Sequence, residues 1–356
     1  MTPPSADSVI GCLLGTAIGD SVGLRSEGLS KGRQRRMYPQ ISGPSLIFGR
    51  GMISDDTEQA CMVAQALIVS GGDVEAFRQN LGWQFRLWLL GLPAAVGYAT
   101  LRAIVRLWLG YPAHRSGVFS AGNGPAMRSA ILGVCYGHDL QRLRALVNAS
   151  TRITHIDPKA EYGALAVALA AHLAARQPEK DVAPEEYARL LQAVLPTEAY
   201  DFLRLIGKVV ESVAAQRTTE SFAETLGLGG GVSGYMYHTV PVVLHAWFTH
   251  QHDYRTAIIE VVRCGGDTDT TAAILGGIIG ARVGKIGIPD QWLDRLWEWP
   301  RTVRWMEELG RRVAQVVANG IGREALPLPQ SGVFLRNMFF LLVVLGHGFR
   351  RVLPPY

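Results

Sequence analysis

Residues 9–23 read VIGCLLGTAIGDSVG, and residues 270–284 read TTAAILGGIIGARVG. Both have the composition of apolar helices, yet both carry small residues at close spacing. The first has Gly11, Gly15 and Gly19; the second has Gly276, Gly277, Gly280 and Ala281. A glycine inside a helix costs about 1 kcal/mol relative to alanine. Close approach of two helix backbones offsets that cost, so the two segments are expected to pack as a central pair. Such a pair would also hold the loops at its ends rigidly.

Outward from this pair, the chain continues to read as helix. Residues 62–69, 75–90, 94–109, 160–175, 187–195, 200–215 and 302–317 are rich in Ala, Leu, Arg, Glu and Gln, with apolar residues three and four apart. Alternating strand patterns are scarce. Breakers such as Gly71-Gly72, Gly91-Leu92-Pro93 and Gly110-Tyr111-Pro112 separate the helices. The expectation is an all-α fold: one compact multi-helix domain over residues 1–325, with function in its loops. Residues 326–356 are expected to add a Pro-containing linker and an extra apolar C-terminal helix.

Composition narrows the function. Hydrophobic residues are 48% of the chain and charged residues 18%, which excludes an extended disordered chain. Cys12, Cys61, Cys135 and Cys264 form no C-x-x-C pair and read as buried thiols of a reducing, cytoplasmic setting. The N-terminus lacks the basic region of a signal peptide. No run of 18 apolar residues occurs, and the run 338–345 is too short to span a bilayer. That run is expected to dock on the domain or on a partner subunit, with membrane-surface contact as the alternative. The net charge of +5 is no direct signal for nucleic acid. Residues 77–138 nevertheless hold several arginines and no acid, which reads either as solvated helix faces or as a positive field for an anionic ligand.

Two acidic clusters carry the chemistry. Ser54-Asp55-Asp56-Thr57-Glu58 precedes a helix expected to begin near Gln59, and Gly265-Gly266-Asp267-Thr268-Asp269-Thr270-Thr271 precedes another. Helix capping alone is one reading of each, but a cap needs one acid. If the two helices pack side by side, four carboxylates converge and need cations. Oxygen-only ligands select Mg²⁺, Mn²⁺ or Ca²⁺ over Zn²⁺. Two such ions orient sugar hydroxyls and activate water. Further along, Gly122-Asn123-Gly124-Pro125-Ala126-Met127-Arg128 reads as a tight turn or as a phosphate-binding helix start. In Thr154-His155-Ile156-Asp157-Pro158, Asp157 caps a helix opened by Pro158, and His155 is either a ligand contact or structural. Residues 227–234, followed by Tyr235, read as a flexible lid with a stacking aromatic or as a plain connector.

Together with Gly19-Asp20-Ser21-Val22-Gly23, these motifs, in this order, resemble the ADP-ribosylglycohydrolase family over roughly residues 8–285. The resemblance implies a compact all-α domain around two divalent cations, Mg²⁺ or Mn²⁺. It implies metal ligation by Ser54, Asp55, Asp56, Asp267, Asp269 and Thr270, with Ser54 standing where many members have Thr. It places Gly122, Asn123, Gly124 and His155 against ADP-ribose, and Met127 of the same motif and the aromatic Tyr235 are added as expected ligand contacts. Glu27, four residues after Gly23, becomes a mobile acid near the scissile bond, and Asp56 or Asp269 orients a water. The implied activity is metal-dependent hydrolysis of the glycosidic bond between ADP-ribose and a modified protein side chain or other small acceptor. A non-catalytic ADP-ribose-binding protein and a hydrolase of another nucleotide-linked glycoside are the alternatives on the same fold. The sequence leaves the family pattern after about residue 325.

Overall fold

A computed structural model describes residues 4–94 and 96–354. Among these residues there are helices and isolated β-bridges but no β-strand. The helix Ala6–Gly23 is buried from Val9 onward except for Ile10. The helix Thr268–Val283 is buried along nearly its whole length. A helix apolar on every side belongs at the centre of a bundle, and these two occupy it.

They lie antiparallel with their main chains in contact. A Cβ added to Gly11 would stand 2.1 Å from the Gly280 carbonyl oxygen, and one on Gly15 2.1 Å from that of Gly276. At Gly19 the distance is 2.0 Å to the Ala272 oxygen, and at Gly23 it is 2.2 Å to that of Thr268. Four successive turns therefore have room only for glycine. Gly23 extends the expected stripe, whereas Gly277 faces Thr16 and Ala130 instead. Two hydrogen bonds lock the register: Tyr254 Oη donates to the Gly15 oxygen at 2.6 Å, and Thr268 Oγ1 to the Gly23 oxygen at 2.8 Å. The antiparallel sense brings the exit of the first helix to the entrance of the second.

The other expected helices form, with shifted ends. The helix that carries the first acidic cluster runs Asp55–Ser70 and begins four residues earlier than the sequence suggested. Ser54 is its N-cap, accepting the Asp56 N–H at 3.2 Å, so the two aspartates occupy the first turn rather than the preceding loop. The helix expected from residue 94 runs Tyr98–Trp108, with Gly97 as its cap. Pro158–Arg176 starts as expected behind Asp157.

The C-terminal segment departs further from expectation. The eight-residue apolar run is the middle of a 23-residue helix, Gln330–Val352, whose mean hydropathy reaches 1.6. By length and composition it is long enough to cross a membrane, as is the buried core stretch Ala6–Ser26. Its inner face is docked on the domain. Phe340 and Val343 pack with Leu24, Leu46 and Met52, and the buried Arg336 binds both carboxylate oxygens of Glu298 at 2.7 Å. Leu335, Leu342 and Phe349 remain exposed on the outer face. All four cysteines are buried and unpaired.

Candidate active site

The site begins at Asp20, one turn before Gly23 in the central helix and fully buried. Its carboxylate accepts the Ser54 N–H at 2.9 Å, the Thr57 N–H at 3.2 Å and the Thr57 hydroxyl at 2.5 Å. Asp20 thus satisfies the open N–H groups at the start of Asp55–Ser70 and fixes that start beside the central pair. Across the gap, Thr270 Oγ1 donates to Asp56 Oδ2 at 3.3 Å, joining residues 214 apart in sequence. Ser54 Oγ donates to the same oxygen at 3.0 Å. The two acidic clusters meet.

They meet at a cavity of about 440 Å³. Its wall includes Glu27, Asp55, Asp56, Gly122, Asn123, Gly124, Met127, His155, Asp267, Asp269 and Thr270. Tyr98, Thr100, Arg102 and Phe119 also line it. Two expected residues do not line it. Ser54 is buried behind Asp56. Tyr235 packs on Tyr237 and His238, with Lys159 over its ring.

The rim is built from loops bonded to one another. Gly28 N–H donates to the Gly266 oxygen at 2.7 Å, and Gly266 N–H to that of Leu29 at 2.8 Å. Asp267 N–H donates to the Val232 oxygen at 2.7 Å, and Asn123 N–H to that of Gly234 at 2.9 Å. Gly266 sits at φ +81° with a carbonyl 2.0 Å from where its Cβ would be, so no other residue fits there. Residues 231–234 are therefore a strut between the Asn123 and Asp267 loops rather than a free lid.

Asn123 and His155 line the cavity as expected, but the groups that hold them, and the roles of Arg128, Gln59 and Asp20, escaped the sequence reading. Asn123 Nδ2 donates to Asp267 Oδ2 at 2.6 Å and to Thr239 Oγ1 at 3.0 Å, which fixes its side chain. Arg128 is a fully buried guanidinium that donates to Gln59 Oε1 and Thr154 Oγ1 at 2.6 Å and to the Ser150 oxygen at 3.0 Å. Gln59 in turn donates to Asp55 Oδ2 at 3.1 Å, and Thr154 Oγ1 pairs with His155 Nδ1 at 2.8 Å. The His155 ring lies under the glycine turn, 3.1 Å from where a Gly122 Cβ would be. Burial, reinforced by Arg128, lowers the imidazole pKa to about 3, so His155 is neutral. Asp20 and Gln59 gave only a weak signal: polar residues set in apolar helical stretches.

The carboxylates strain against one another. Burial, then mutual repulsion, pushes Asp55, Asp56 and Asp269 well above the usual carboxylate range. Burial also raises Asp267, raises Glu27 with help from the Asp267 charge, and raises Asp20 to about 7 against the opposing hydrogen bonds from Ser54 and Thr57. Asp56 Oδ1 and Asp269 Oδ1 are buried with no hydrogen-bond partner. Among the described residues, no three His, Cys, Asp or Glu side chains are already drawn together as a metal cluster. Even so, orphaned carboxylate oxygens beside hydroxyls fit a hard cation, whose charge would favour the ionised forms that burial and repulsion disfavour.

The sequence profile of the ADP-ribosylglycohydrolase family matches residues 1–321. The chain belongs to that family. It is 30% identical to the ADP-ribosyl-[dinitrogen reductase] glycohydrolase of Rhodospirillum rubrum, covering 83% of this chain and 92% of the relative. It is 26% identical to the ADP-ribosylarginine hydrolase Tri1 of Serratia proteamaculans, covering 86% of this chain and 82% of the relative. A solved structure described as an ADP-ribosylglycohydrolase-related protein complex superposes with a TM-score of 0.65 at 27% identity. That match covers 88% of this chain and 98% of the other. The matched family span stops short of the helix Gln330–Val352.

Proposed function

We propose that this protein hydrolyses the glycosidic bond between ADP-ribose and a modified acceptor, using two divalent cations, Mg²⁺ or Mn²⁺. The observation that carries the reading is the meeting of Asp55 and Asp56 with Asp267, Asp269 and Thr270 at one cavity, with buried oxygens of Asp56 and Asp269 left unpaired. Asp55, Asp56, Asp267, Asp269 and Thr270 would hold the cations, with Ser54 holding Asp56 in place through its hydroxyl rather than lining the cavity itself. When bound, such ions polarise ribose hydroxyls and make water more acidic.

The chain's own residues do the rest. The Gly122–Gly124 turn lets a pyrophosphate approach the backbone, with neutral His155 as its floor. Tyr98 and Phe119 line the cavity while staying largely exposed, so they suit the base-stacking role first given to Tyr235. Asn123, held by Asp267 and Thr239, offers a fixed amide to the sugar side. Glu27 is half-buried, and its carboxyl is raised, which suits proton exchange at the scissile bond. Asp56 and Asp269 place negative charge where an oxocarbenium-like transition state becomes positive. The Serratia relative makes ADP-ribosylarginine the first acceptor to try, and the buried thiols suit a cytoplasmic setting.

The test compares wild type with Asp55→Ala and Asp267→Ala on arginine- and serine-linked ADP-ribose, with Mg²⁺ or Mn²⁺. Wild type is expected to release ADP-ribose, and each variant to lose the activity. Release that survives chelation of divalent metal refutes the mechanism. Tight ADP-ribose binding without turnover in wild type assigns the chain to binding instead.

A further inference from the structure

We infer that the helix Gln330–Val352, outside the matched family span, is a clamp on the loops of this cavity, with Arg336, His347 and Arg351 as positioning residues. The inference rests on the proposed reading of the cavity as an active site.

The observation is a row of side chains on one helix, bonded to the main chain of three separate connections: residues 24–26, 38–54 and 91–97. Arg336 Nη2 donates to the Ile53 carbonyl. Asn337 Nδ2 donates to the Gly91 carbonyl at 2.8 Å, and His347 Nε2 pairs with the Leu46 carbonyl at 2.6 Å. Arg351 Nη2 donates to the Arg25 carbonyl at 3.2 Å, and Arg33 Nη2 bonds back to the Arg351 carbonyl. From residue 336 to 351 the helix rises roughly 22 Å, long enough to reach across the loops it holds.

These loops lead straight to cavity residues. Ile53 immediately precedes Ser54-Asp55-Asp56. Arg25 lies two residues before Glu27. Gly91 opens the connection to Gly97, Tyr98 and Thr100. Ile53 is held at both ends of its backbone, because its N–H also donates to Glu298 Oε2 at 3.1 Å. The Arg336–Glu298 pair thus fixes the peptide groups from which the first acidic cluster hangs. Buried loop carbonyls need partners, and regular structure supplies none here. The terminal helix supplies them.

Deleting the helix would uncover Leu24, Leu46 and Met52 and strand Glu298, so loss of folding would mask the effect. The test uses the full chain with His347→Ala and Arg351→Ala combined, since both side chains are only half-buried. Hydrogen–deuterium exchange and steady-state kinetics are measured together. Amides in residues 24–30 and 46–53 are expected to exchange roughly tenfold faster, while residues 6–23 and 268–283 keep their protection. The value of kcat is expected to fall roughly tenfold with KM nearly unchanged, since small misplacements act on the chemical step. Arg351→Lys in the same background is expected to recover most of the lost rate. Unchanged exchange in those loops overturns the clamp, as does a wild-type kcat in the double variant. Faster loop exchange, with wild type itself releasing no ADP-ribose, supports the clamp and sinks the hydrolase reading alone.

Discussion

Gly15→Ala is the sharpest test of the central pair. The new methyl would stand 2.1 Å from the Gly276 oxygen and 3.1 Å from the Gly280 Cα. Ordinary contact needs about 3.2 Å or more, so the backbones must part by about 1 Å. No flexible side chain can yield, because the obstructing atoms are main chain in a buried helix. Gly11, Gly19 and Gly23 make the same approach, so the whole interface opens, not one turn. Overpacking of this kind costs about 1–3 kcal/mol or more, against about 1 kcal/mol gained from alanine's helix propensity. Because main chain obstructs main chain over four turns, the upper end of that cost applies, and a net loss of about 2 kcal/mol is expected. With an unfolding entropy of about 2.1 cal/mol/K per residue, that lowers Tm by about 3 °C or more in this 356-residue chain. Gly207→Ala is the control. It also lies inside a helix, Tyr200–Ala214, but its Cβ would meet nothing within 4 Å. It is expected to raise Tm slightly. Differential scanning calorimetry reads both. Equal shifts for the two variants, or a Gly15→Ala protein as stable as wild type, would refute the backbone-contact argument.

Glu27→Gln is expected to lower kcat about 10²-fold or more while calorimetric ADP-ribose binding persists, which separates proton exchange from affinity. In chelator, the protein is expected to gain stability as pH falls from about 8 to about 5. The carboxyl groups of Asp20, Asp55, Asp56 and Asp269 are raised, so the folded state binds more protons than the unfolded. Their contribution is full below the unfolded carboxylate range and disappears as pH rises through the folded values. Thermal melts across that range check it, and saturating Mg²⁺ should flatten the slope by favouring the ionised forms. Arg336→Ala leaves the buried Glu298 carboxylate with no charge partner, only the Ile53 N–H, and is expected to cost about 3–5 kcal/mol by denaturant titration. Adding Glu298→Gln should recover part of that loss.

The glycine stripe was legible because glycine is penalised in helices and must be compensated. Its antiparallel sense was not, since spacing alone is blind to direction. The acidic clusters were legible because they exceed what a helix cap requires. Asp20 was missed because its carboxylate serves backbone groups more than 30 residues away, and local pattern carries no trace of them. Tyr235 was misplaced for a related reason. Its backbone bridges to Gly122, but its ring packs with Tyr237 and His238 and is not part of the cavity wall, a contact that local sequence does not reveal. The terminal helix was read as too short because Arg336, Asn337, Gly346, His347 and Gly348 interrupt the apolar run. Hydropathy registers those residues as an end, whereas the helical backbone passes through them.

The interlocked main chains of the central pair also bear on synthesis. Tyr254 reaches Gly15 over 239 residues, and Thr268 reaches Gly23 over 245. A nascent chain emerging from the ribosome exposes its first apolar glycine helix long before the second exists to cover it. That helix must be shielded for most of translation, by transient contacts or by chaperones. The catalytic pocket can assemble only when the final third of the polypeptide has emerged.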